Sequence, residues 1–545
     1  VSDTLADVAY YYYNTDLRAA GSLNNGVDVG TGDYDAANGT YSNNIQRMTT
    51  YTLGLGIDGY MKFQSNYASA SSGDYYDVAN GATASSTACT WQSSGTTCNW
   101  PTPSSDSQAN VDDLWHAAVN GRGQYFSAGD PAALAAGLSG ALASISAKLG
   151  DAAAATTSNP NITTGDNFLF SSDFKTSEWT SELQRLQINV ATGNIITSGT
   201  PPTPVVDWNA QPLLDAKVTA TTDTRTIYTF SSETSTYPAK LKPFVWGNLT
   251  TAEQAYFSSS AMASLPQFCA TTTYTIVGDP TIRNCLSSTE QTDAAGDKLI
   301  RFLRGQNGYE DRTENTAAGR PIYYRLRTHA LGDIVSSEAV YVKQPQLNYA
   351  DTGFSSFKTA QASNPRMVYV TANDGMLHAF NATTGQEAWA YLPSMVLPNL
   401  YKLASMNYKN DHRFLLDGTP VVDYAYLGGE WKTLLIGGLA AGGPGYYALD
   451  ITDPTQPKAL WEFKQRSSSC AATLAAAVGN TDDCDLGYSY GNPVVTKLAD
   501  GSWVVLVTSG YNNATPGDGG GYLYVLDPAT GAILRKIGTG VGSTA

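Results

Sequence analysis

The sequence predicts a multidomain protein in which an α/β region is followed by a β-rich region and then by repeated β-strands. Helical and strand patterns alternate in residues 1–150, β-leaning sequence with little helical periodicity fills residues 151–330, and an apolar strand pattern recurs in residues 331–545. A chain of 545 residues also exceeds the roughly 50–250 residues that one domain usually holds. We therefore expect three regions with these boundaries.

The composition favours weakly charged, polar surfaces and disfavours nucleic acid as a partner. Charged residues are 15% of the chain, against roughly 25% in an average globular protein. The formal net charge of −16 would repel the phosphate groups of nucleic acids. The sequence has no apolar run of roughly 18 residues or more, so no membrane-spanning helix is predicted. Its first residues lack the pattern of a signal peptide, so export would require a signal that lies upstream or has been removed.

The six cysteines form three pairs that are close in sequence. These pairs are Cys89/Cys98, Cys269/Cys285 and Cys470/Cys484. None has the CxxC spacing of a zinc site and no histidine lies close in sequence to any pair, so zinc binding is disfavoured. We predict three local disulfides, which implies an oxidising compartment. Buried, reduced thiols remain the alternative, and a thiol count under denaturing conditions would separate the two.

Residues 1–150 carry the α/β pattern. The first predicted helix has an apolar face formed by residues at helical spacing: Leu5, Val8, Ala9 and Tyr12. Its N-cap is predicted at Ser2 or Asp3. Residues 48–57 are predicted as a strand covered on both faces, because they are β-rich and almost uncharged. A helix, a Gly break and a short strand follow in VDDLWHAAVNGRGQYFSA, and residues 130–149 are predicted as an Ala/Leu helix with Asp as N-cap and Pro in its first turn.

Residues 151–330 give fewer signals. Strands are predicted in NFLFSSDFKTSEWTSELQRLQIN and in RTIYTF. A short helix is predicted in LTTAEQAYFSS, where Leu249, Ala252 and Tyr256 can share a face. We expect a β-rich connector here.

A divergent repeat begins at about residue 351. Its three copies are MVYVTANDGMLHAFNATTGQEAW, TLLIGGLAAGGPGYYALDITDPTQPKALWEF and VVLVTSGYNNATPGDGGGYLYVLDPATGAILRKI. Each copy has an apolar strand, a Gly-rich turn, a second strand that ends near Asn381, Asp450 or Asp527, a tight turn and a further strand. The copies are roughly 70–75 residues apart, whereas a four-stranded propeller blade needs about 40–50. We therefore predict blades with long inserted loops, one of which contains Cys470 and Cys484.

The turns of these copies carry residues that we interpret as structural rather than catalytic. Asp or Asn at the start of a tight turn accepts hydrogen bonds from backbone amides, Gly adopts positive φ, and Trp packs against a neighbouring blade while donating its N–H. The predicted structural positions are Asp374, Gly375, Asn381, Gly385, Trp389, Asp450, Trp461, Asp527 and Gly531. Arg535 stands where the third copy would have its Trp.

No catalytic, cofactor-binding or metal-binding residue is predicted in this chain. The GxSxG, GxxxxGK[ST] and HExxH motifs are absent. The four histidines are dispersed: His116, His329, His378 and His412. We interpret His116 and His378 as packed or capped residues. Two acidic loops are predicted to be solvated, with weak calcium binding by the first as the alternative: Asp482, Asp483 and Asp485, and Asp28, Asp33 and Asp35.

Three groups of motifs resemble one known family, in that family's own order. QRMTTYTLGLGI with VDDLWHAAVNGRGQYFSAGDPAALAAGL resembles the end of the von Willebrand A-type domain in PilY-type type IV pilus biogenesis proteins. LGDIV at residues 331–335 resembles the motif at which the propeller of these proteins begins. FLLDGTPVVDYAYLGGEWKTLLIGGLAAGGPGYYALDITDP with LGYSYGNPVV resembles the propeller, and NATTGQEAW resembles the AxDxxTGxxxW repeat of quinoprotein propellers. The chain is thus identified as a member of the PilY-type family.

This resemblance implies a fold. Residues 1–150 would be the C-terminal half of an α/β von Willebrand A-type domain, residues 151–330 a β-rich connector, and residues 331–545 part of a quinoprotein-like β-propeller. The metal site of A domains needs a DxSxS loop, which is absent here, as is the DxDxDG calcium loop of the family's propeller. No cofactor is therefore expected in this chain, although a longer native protein could bind calcium. We expect that the chain begins inside the A domain and ends within the propeller.

The resemblance also implies a function. The protein would be a non-enzymatic component of the type IV pilus tip that primes assembly with minor pilins and mediates adhesion or surface sensing. It would be extracellular after export through the periplasm, with host-cell or abiotic surfaces as ligands. One alternative is a periplasmic quinoprotein (PQQ-type) oxidoreductase, disfavoured because the chain has no adjacent cysteine pair and too few residues for the blades of that class. The other is a secreted carbohydrate-binding propeller.

Overall fold

The computed structural model of the chain describes residues 4–15, 34–35, 40–41, 48–55, 59–64, 67, 70–85, 88–92, 96–128, 152–157, 167–176, 178–198, 203–276, 279–345, 347–470 and 473–542. The chain divides into two compact units, residues 1–149 (unit 1) and residues 150–545 (unit 2). Within the described ranges, no helix has both the length and the apolar character needed to cross a membrane.

Unit 1 combines helices with a pair of parallel strands. Its elements, in chain order, are α1 (Leu5–Asn14), β1 (Tyr34–Asp35), β2 (Thr40–Tyr41), β3 (Thr50–Leu55), α2 (Asp74–Ala79), α3 (Ala109–Asn120) and β4 (Arg122–Ala128). Strands β3 and β4 pair in parallel, and α3 lies between them in sequence and packs on both. Parallel neighbours need such a crossover, so this part of unit 1 has an α/β arrangement.

Helix α1 begins one or two residues later than the predicted N-cap implies. Thr4 is the N-cap: its side chain accepts a hydrogen bond from the backbone N–H of Asp7, and the Asp7 carboxylate accepts one from the backbone N–H of Thr4. The prediction of Ser2 or Asp3 is therefore wrong. Thr4 is the N-cap because, unlike Ser2 and Asp3, it has an acidic residue three positions later that can complete this reciprocal pair of hydrogen bonds.

Helix α1 packs through small side chains rather than large ones. Ala6 and Ala9 are buried against Ala117 of α3, because alanine lets two helices approach closely. The predicted apolar face is wrong at the positions that are exposed: Leu5 (44%), Val8 (48%) and Tyr12 (39%). The predicted helix at residues 130–149 lies outside the described residues, as does most of the acidic loop at residues 28–35.

Unit 2 is dominated by β-strands with short helices between them. Its strands, in chain order, are β5 (Ala152–Thr157), β6 (Phe168–Lys175), β7 (Thr180–Gln187), β8 (Thr197–Ser198), β9 (Thr203–Pro204), β10 (Val206–Asn209), β11 (Ile227–Phe230), β12 (Leu241–Pro243), β13 (Thr273–Ile276), β14 (Asp279–Asn284), β15 (Val340–Val342), β16 (Met367–Ala372), β17 (Met376–Asn381), β18 (Glu387–Leu392), β19 (Val421–Leu427), β20 (Glu430–Gly438), β21 (Gly445–Asp450), β22 (Lys458–Gln465), β23 (Asp482–Asp483), β24 (Val494–Lys497), β25 (Trp503–Thr508), β26 (Tyr522–Leu526) and β27 (Ile533–Gly538).

The α-helices of unit 2 are α4 (Ala210–Asp215), α5 (Thr251–Ala255), α6 (Ser288–Asp293), α7 (Asp297–Leu303), α8 (Thr313–Ala317) and α9 (Phe354–Gln361). Helix α5 lies in the segment where a short helix is predicted, and Thr250 caps it. Short 3-10 helices occupy Trp246–Asn248, Ala261–Ser264, Pro266–Phe268, Ser394–Ala404, Ala440–Gly442 and Leu474–Ala477.

Four larger sheets follow one another along unit 2. The first sheet contains β5, β6, β7 and β10; the second contains β15 to β18 with β11 and β12 at one edge; the third contains β19 to β23; the fourth contains β24 to β27. The predicted repeat copies lie in the second, third and fourth sheets, and each gains a first strand that the prediction lacks: β15, β19 or β24. The resulting four-stranded antiparallel meander is the architecture of a propeller blade.

Consecutive sheets pack face to face through hydrophobic cores. Each core contains buried residues from both of the sheets that it joins. Examples are Phe170 and Val368 for the first and second sheets, Tyr369 and Leu435 for the second and third, and Tyr446 and Val505 for the third and fourth. Val368 and Tyr369 are neighbours in β16 and point to opposite faces, as successive strand residues do. The second sheet is therefore buried on both faces.

Part of residues 151–330 contributes strands to the same stack of sheets. Strands β5, β6, β7 and β10 build the first sheet, and β11 pairs in parallel with β18 at the edge of the second. The parallel pairing joins segments that are far apart in sequence, so no local sequence pattern predicts it. The predicted boundary between a connector and a propeller at residue 331 stays a prediction.

Insertions between strands account for the excess length of the repeats. Helix α9 lies between β15 and β16, and a 3-10 helix at Ser394–Ala404 lies between β18 and β19. The loop closed by Cys470 and Cys484 lies between β22 and β24. Within this loop β23 pairs in parallel with β22, so the loop folds back onto the edge of the third sheet.

Candidate functional site

The predicted turn residues hold tight turns at the ends of strands. Asn381 Oδ1 accepts hydrogen bonds from the backbone N–H groups two and three residues later, over 2.9 and 3.0 Å. Asp527 repeats this arrangement over 2.9 and 2.8 Å, and Asp450 accepts one such bond over 2.9 Å. Gly385 and Gly531 follow with φ of +72° each. These side chains are used within their own turns.

Three tryptophans join each sheet to a turn of the next. The indole N–H donates to a backbone carbonyl in each case: Trp208 to Ala382 (3.0 Å), Trp389 to Pro454 (2.8 Å) and Trp461 to Pro528 (3.0 Å). Trp389 and Trp461 are among the residues singled out from the sequence, whereas Trp208 is missed because its strand lies outside the recognised repeats. The first sheet thus contacts the second as the second contacts the third.

Two glycines lie directly against these indole rings. A Cβ atom on Gly385 would lie 2.7 Å from the ring of Trp208, and one on Gly531 would lie 2.7 Å from the ring of Trp461. Such distances are closer than van der Waals contact allows, so any side chain would push the sheets apart. Positive φ and close approach both require glycine here.

In the third sheet, the carbonyl of Pro454 accepts the hydrogen bond from the indole of Trp389. The residue before this proline is Asp453, not the predicted Asp450. Asp453 accepts a hydrogen bond from the backbone N–H two residues later over 2.9 Å. Its successor Pro454 accepts the indole hydrogen bond, just as Pro528 does after Asp527. The shared Asp-Pro pair is the sequence signal that identifies this position.

Asp374 belongs to a buried network of four charged side chains, called here the buried network: Arg225, Glu387, His378 and Asp374. His378 Nε2 lies 3.1 Å from Asp374 Oδ2, and His378 Nδ1 lies 2.9 Å from Glu387 Oε1. Arg225 donates to Glu387 through Nη2 (2.7 Å) and Nε (2.9 Å). Gly375 completes the hairpin turn after Asp374 with φ of +89°.

The imidazole of His378 is a buried cation. Both ring nitrogens face a carboxylate, so both carry a proton. Burial by itself lowers the pKa of His378, but Asp374 and Glu387 outweigh it and raise this pKa to about 9. Burial likewise opposes ionisation of Glu387, yet Arg225 and His378 hold its pKa well below the usual range. Two positive and two negative charges balance, which is how buried ions are tolerated.

The buried network connects parts of unit 2 that are remote in sequence. Arg225 precedes β11, whereas His378 lies in β17 and Glu387 in β18. The sequence suggests packing or capping for His378 but gives no reason to single out Glu387 or Arg225. The partners are 162 residues apart, so no local spacing reveals the pair. Both nitrogens of His378 are occupied, which leaves neither available to a substrate in this conformation.

The other histidines have separate partners. They are His412 with Asp333 (2.9 Å), His329 with Asp215 (2.6 Å), and His116 stacked on Trp100 (4.5 Å between ring centroids). Asp333, from the LGDIV motif, also accepts a hydrogen bond from Asn373 Nδ2 over 2.7 Å. Each histidine thus has its own partner, although in unit 2 His329 lines the same pocket as Asp333 and Asp374, the partners of His412 and His378.

Lys536 forms ion pairs with carboxylates of the acidic loop at residues 482–485. Lys536 Nζ lies 2.8 Å from Asp483 Oδ1 and also forms an ion pair with Asp485. Asp482 pairs with Arg466 over 2.5 Å. Calcium binding at this loop would have to displace these cations. Across the described ranges, no group of three or more His, Cys, Asp or Glu side chains is arranged to hold a metal ion.

The three predicted disulfides are present. They join Cys89 to Cys98, Cys269 to Cys285 and Cys470 to Cys484, with Cα–Cα distances of 5.7, 5.5 and 5.5 Å. The second closes the base of the β13–β14 hairpin, and the third closes the loop that carries β23. All six cysteines are therefore disulfide-bonded in the structure, and none is a reduced thiol.

The C-terminal part of the chain defines the class of protein. Residues 331–544 match the family model described as the PilY1 beta-propeller domain, so the predicted propeller is confirmed at the level of this domain type. The class is thus a protein with a PilY1-type β-propeller domain.

Similar proteins extend this assignment beyond the propeller. Over 98% of its length the chain is 34% identical to the type IV pilus biogenesis factor PilY1 of Pseudomonas aeruginosa (strain PAO1) and covers 41% of that protein. A PilY1 homolog of Xylella fastidiosa is 34% identical over 44% of this chain and 16% of the homolog. The chain is therefore similar to PilY1 proteins along almost its whole length.

The chain spans about 41% of the length of the P. aeruginosa relatives. It is also similar to the crystal structure of the P. aeruginosa PilY1 C-terminal domain, with 37% identity over 37% of this chain and 38% of that chain. The TM-score of this match is 0.29, too low to support any statement about the fold. These relatives are named as biogenesis factors and not as enzymes.

Proposed function

We propose that the chain acts in type IV pilus assembly as a non-enzymatic scaffold at the pilus tip. The observation that carries this proposal is the 34% identity over 98% of the chain to a type IV pilus biogenesis factor. Similarity along almost the whole chain supports a shared role for both units, rather than for the propeller alone.

The contacts of the predicted site residues support a scaffold rather than a catalyst. Trp389 and Trp461 donate to backbone carbonyls of the next sheet, and Asn381 and Asp527 hold their own turns. His378 is enclosed by carboxylates. These groups stabilise a stack of sheets, and fold similarity to quinoproteins does not by itself confer their chemistry.

We further propose that the tip scaffold primes assembly by binding minor pilins and serves as an adhesin or surface sensor. Tyrosine-bearing loops support this role, because Tyr and small polar residues make adaptable contacts with proteins and surfaces. Tyr490 and Tyr511 are examples of exposed tyrosines in unit 2. Host-cell and abiotic surfaces are the proposed ligands.

The proposed location is extracellular, after export through the periplasm. Three disulfides support it, because such bonds persist in oxidising compartments. For unit 1 we propose the C-terminal half of a von Willebrand A-type domain. The parallel pair β3–β4 with the crossover helix α3 supports an α/β domain of this kind.

Co-purification with minor pilins tests the proposal. The tagged full-length protein, expressed from its own locus, should retain minor pilins when pilus tips are sheared and captured. Capture without any minor pilin would contradict it. Reduction of a dye with alcohols or sugars after addition of pyrroloquinoline quinone and calcium would instead favour the oxidoreductase. Retention on a glycan array with normal piliation after gene deletion would favour the carbohydrate-binding propeller.

A further inference from the structure

A pocket lies where the first strands of the second, third and fourth sheets begin. Its cavity volume is about 140 Å³. Each sheet contributes the segment just before its first strand: Ser336 ahead of β15, residues 417–419 ahead of β19, and residues 489–493 ahead of β24. The pocket is therefore built from equivalent positions of three neighbouring sheets.

Asp417 is the acidic group of this pocket, and it is only 2% exposed. Its Oδ1 atom accepts a hydrogen bond from the backbone N–H of Ser336 over 3.0 Å. In the part of unit 2 that the structure describes, no Lys, Arg or His nitrogen forms an ion pair with it. Burial, with a smaller contribution from nearby Asp333, raises the pKa of the Asp417 carboxyl, and the hydrogen bonds from Ser336 and the proximity of His412 only partly oppose this.

Asp417 is unusual among the buried carboxylates described in unit 2. Five of the others have a Lys or Arg nitrogen within ion-pair distance, and the sixth, Asp333, contacts His412. The five are Glu310 (Arg312 and Arg327), Glu387 (Arg225), Asp450 (Lys432), Glu462 (Lys464) and Asp483 (Lys536). In unit 2, most of the buried carboxylates are thus paired with Lys or Arg, whereas buried Asp112 and Asp113 of unit 1 accept backbone hydrogen bonds. The pocket beside Asp417 leaves room for a cation from outside.

The walls of the pocket suit a slender chain. Gly418, Gly438 and Gly491 contribute no side chain, and Ala440 and Pro493 contribute small apolar surfaces. Tyr490 lines the pocket and is 57% exposed, so its ring can contact a passing ligand. An aromatic ring near a carboxylate is a favourable setting for an ammonium group.

We propose that this pocket receives a lysine side chain from a partner protein, with its ammonium group bound to Asp417. The four-carbon stem of lysine is narrow and flexible, and its ammonium is a compact charge with three donors. The net charge of −16 favours approach of a basic segment. A calcium ion fits less well, because it takes about six to eight oxygen ligands and Asp417 is the only carboxylate that lines the pocket. The proposal stands whether or not the partner belongs to a pilus.

Titration calorimetry of the whole chain with the peptide acetyl-Gly-Lys-Gly-amide tests this proposal. We expect binding of one peptide per chain, and at least a tenfold weaker affinity for the same peptide with an Nε-acetylated lysine. Asp417→Asn keeps the acceptor for Ser336, so the variant should fold and yet lose tenfold or more in affinity. Tyr490→Ala should weaken binding about threefold. Asp500→Asn removes an exposed carboxylate on a surface turn and should bind as the wild type does.

Several outcomes would overturn the proposal. They are equal binding of the acetylated peptide, equal binding by Asp417→Asn and Asp500→Asn, and no binding at all. A separate titration with calcium chloride alone tests whether the pocket binds a metal ion instead of a lysine. A calcium affinity that Asp417→Asn abolishes, together with loss of peptide binding when calcium is added, would make the pocket a metal site instead.

Discussion

The indole N–H of Trp208 donates a hydrogen bond to the carbonyl oxygen of Ala382 over 3.0 Å. Trp208 lies in the first sheet, which comes from residues predicted to form a connector, and Ala382 lies in a turn of the second sheet. Trp389 makes the same contact with Pro454 one sheet further on. We infer that the first sheet is a member of the same stack as the three sheets that contain the repeats.

Replacing Trp208, Trp389 or Trp461 with Phe should destabilise unit 2 in each case, and Trp208→Phe should have the smallest effect of the three. Phe removes the indole N–H and leaves the carbonyl of Pro454 or Pro528 unpaired, which costs about 1–3 kcal/mol, whereas the carbonyl of Ala382 keeps a hydrogen bond from Arg185. Urea denaturation followed by circular dichroism would measure the free energy of unfolding of each variant.

Trp246→Phe is the matched control, because in the described residues the indole nitrogen of Trp246 has no hydrogen-bond partner. It should change the free energy of unfolding less than the other three variants do. A Trp208 variant as stable as the wild type, beside unstable Trp389 and Trp461 variants, would show that the first sheet is not joined in the same way.

Gly385→Ala and Gly531→Ala should each lower stability more than a glycine replacement at an open turn. Ala pays about 1–2 kcal/mol for left-handed backbone and about 1–3 kcal/mol more for overlap with the indole ring. Gly501→Ala is the control, since its φ of +88° is similar but no atom lies within 4 Å of the added Cβ. Thermal unfolding midpoints would rank the three, and equal shifts would contradict the account.

The stabilisation supplied by His378 should disappear at alkaline pH. Its pKa is about 9 in the folded protein, against an ordinary value of 6.5. A group whose pKa rises on folding stabilises fully below the unfolded value and loses this effect as pH rises through the folded value. The contribution is therefore complete below about pH 6.5 and lost above about pH 9.

His378→Gln isolates this effect from the titration of lysines and tyrosines. The difference in free energy of unfolding between wild type and variant should be largest at pH 6 and should shrink steadily towards pH 10. Denaturation curves at several pH values would measure it. A difference that stays constant across this range would mean that His378 is not a buried cation.

Removing the Cys470–Cys484 disulfide should loosen the edge of the third sheet. A loop of 14 residues gains about 3 kcal/mol from closure in the chain-entropy account, and β23, which pairs with β22, lies within this loop. In Cys470→Ser/Cys484→Ser, limited proteolysis should cut faster between residues 466 and 482. The matched variant Cys269→Ser/Cys285→Ser opens a loop of 16 residues elsewhere, so faster cutting at 466–482 in both variants would contradict a local effect.

The sequence predicts what depends on local pattern. The capping residues Asn381 and Asp527 and the glycines that follow them occupy the turns that their spacing indicates. The three disulfides could also be predicted, because each pair is close in sequence. The resemblance to PilY1 proteins follows from longer motifs and is confirmed by the relatives.

What the sequence does not reveal depends on contacts between distant segments. The parallel pairing of β11 with β18 and the ion pair of Arg225 with Glu387 join residues more than 160 positions apart. The first strands of the second and fourth sheets, β15 and β24, are missed because they have only three and four residues, and α9 further separates β15 from β16. On α1 the contact is made by Ala6 and Ala9, which carry little hydrophobic signal compared with leucine or tyrosine.

Counting surface pili by electron microscopy tests the central claim, a scaffold role in pilus assembly, most directly. A strain that lacks the gene should bear few or no pili, and the wild-type gene should restore them. Trp389→Ala, which removes the indole hydrogen bond and the ring between the second and third sheets, should restore them only in part. Normal numbers of pili in the deletion strain would contradict the account.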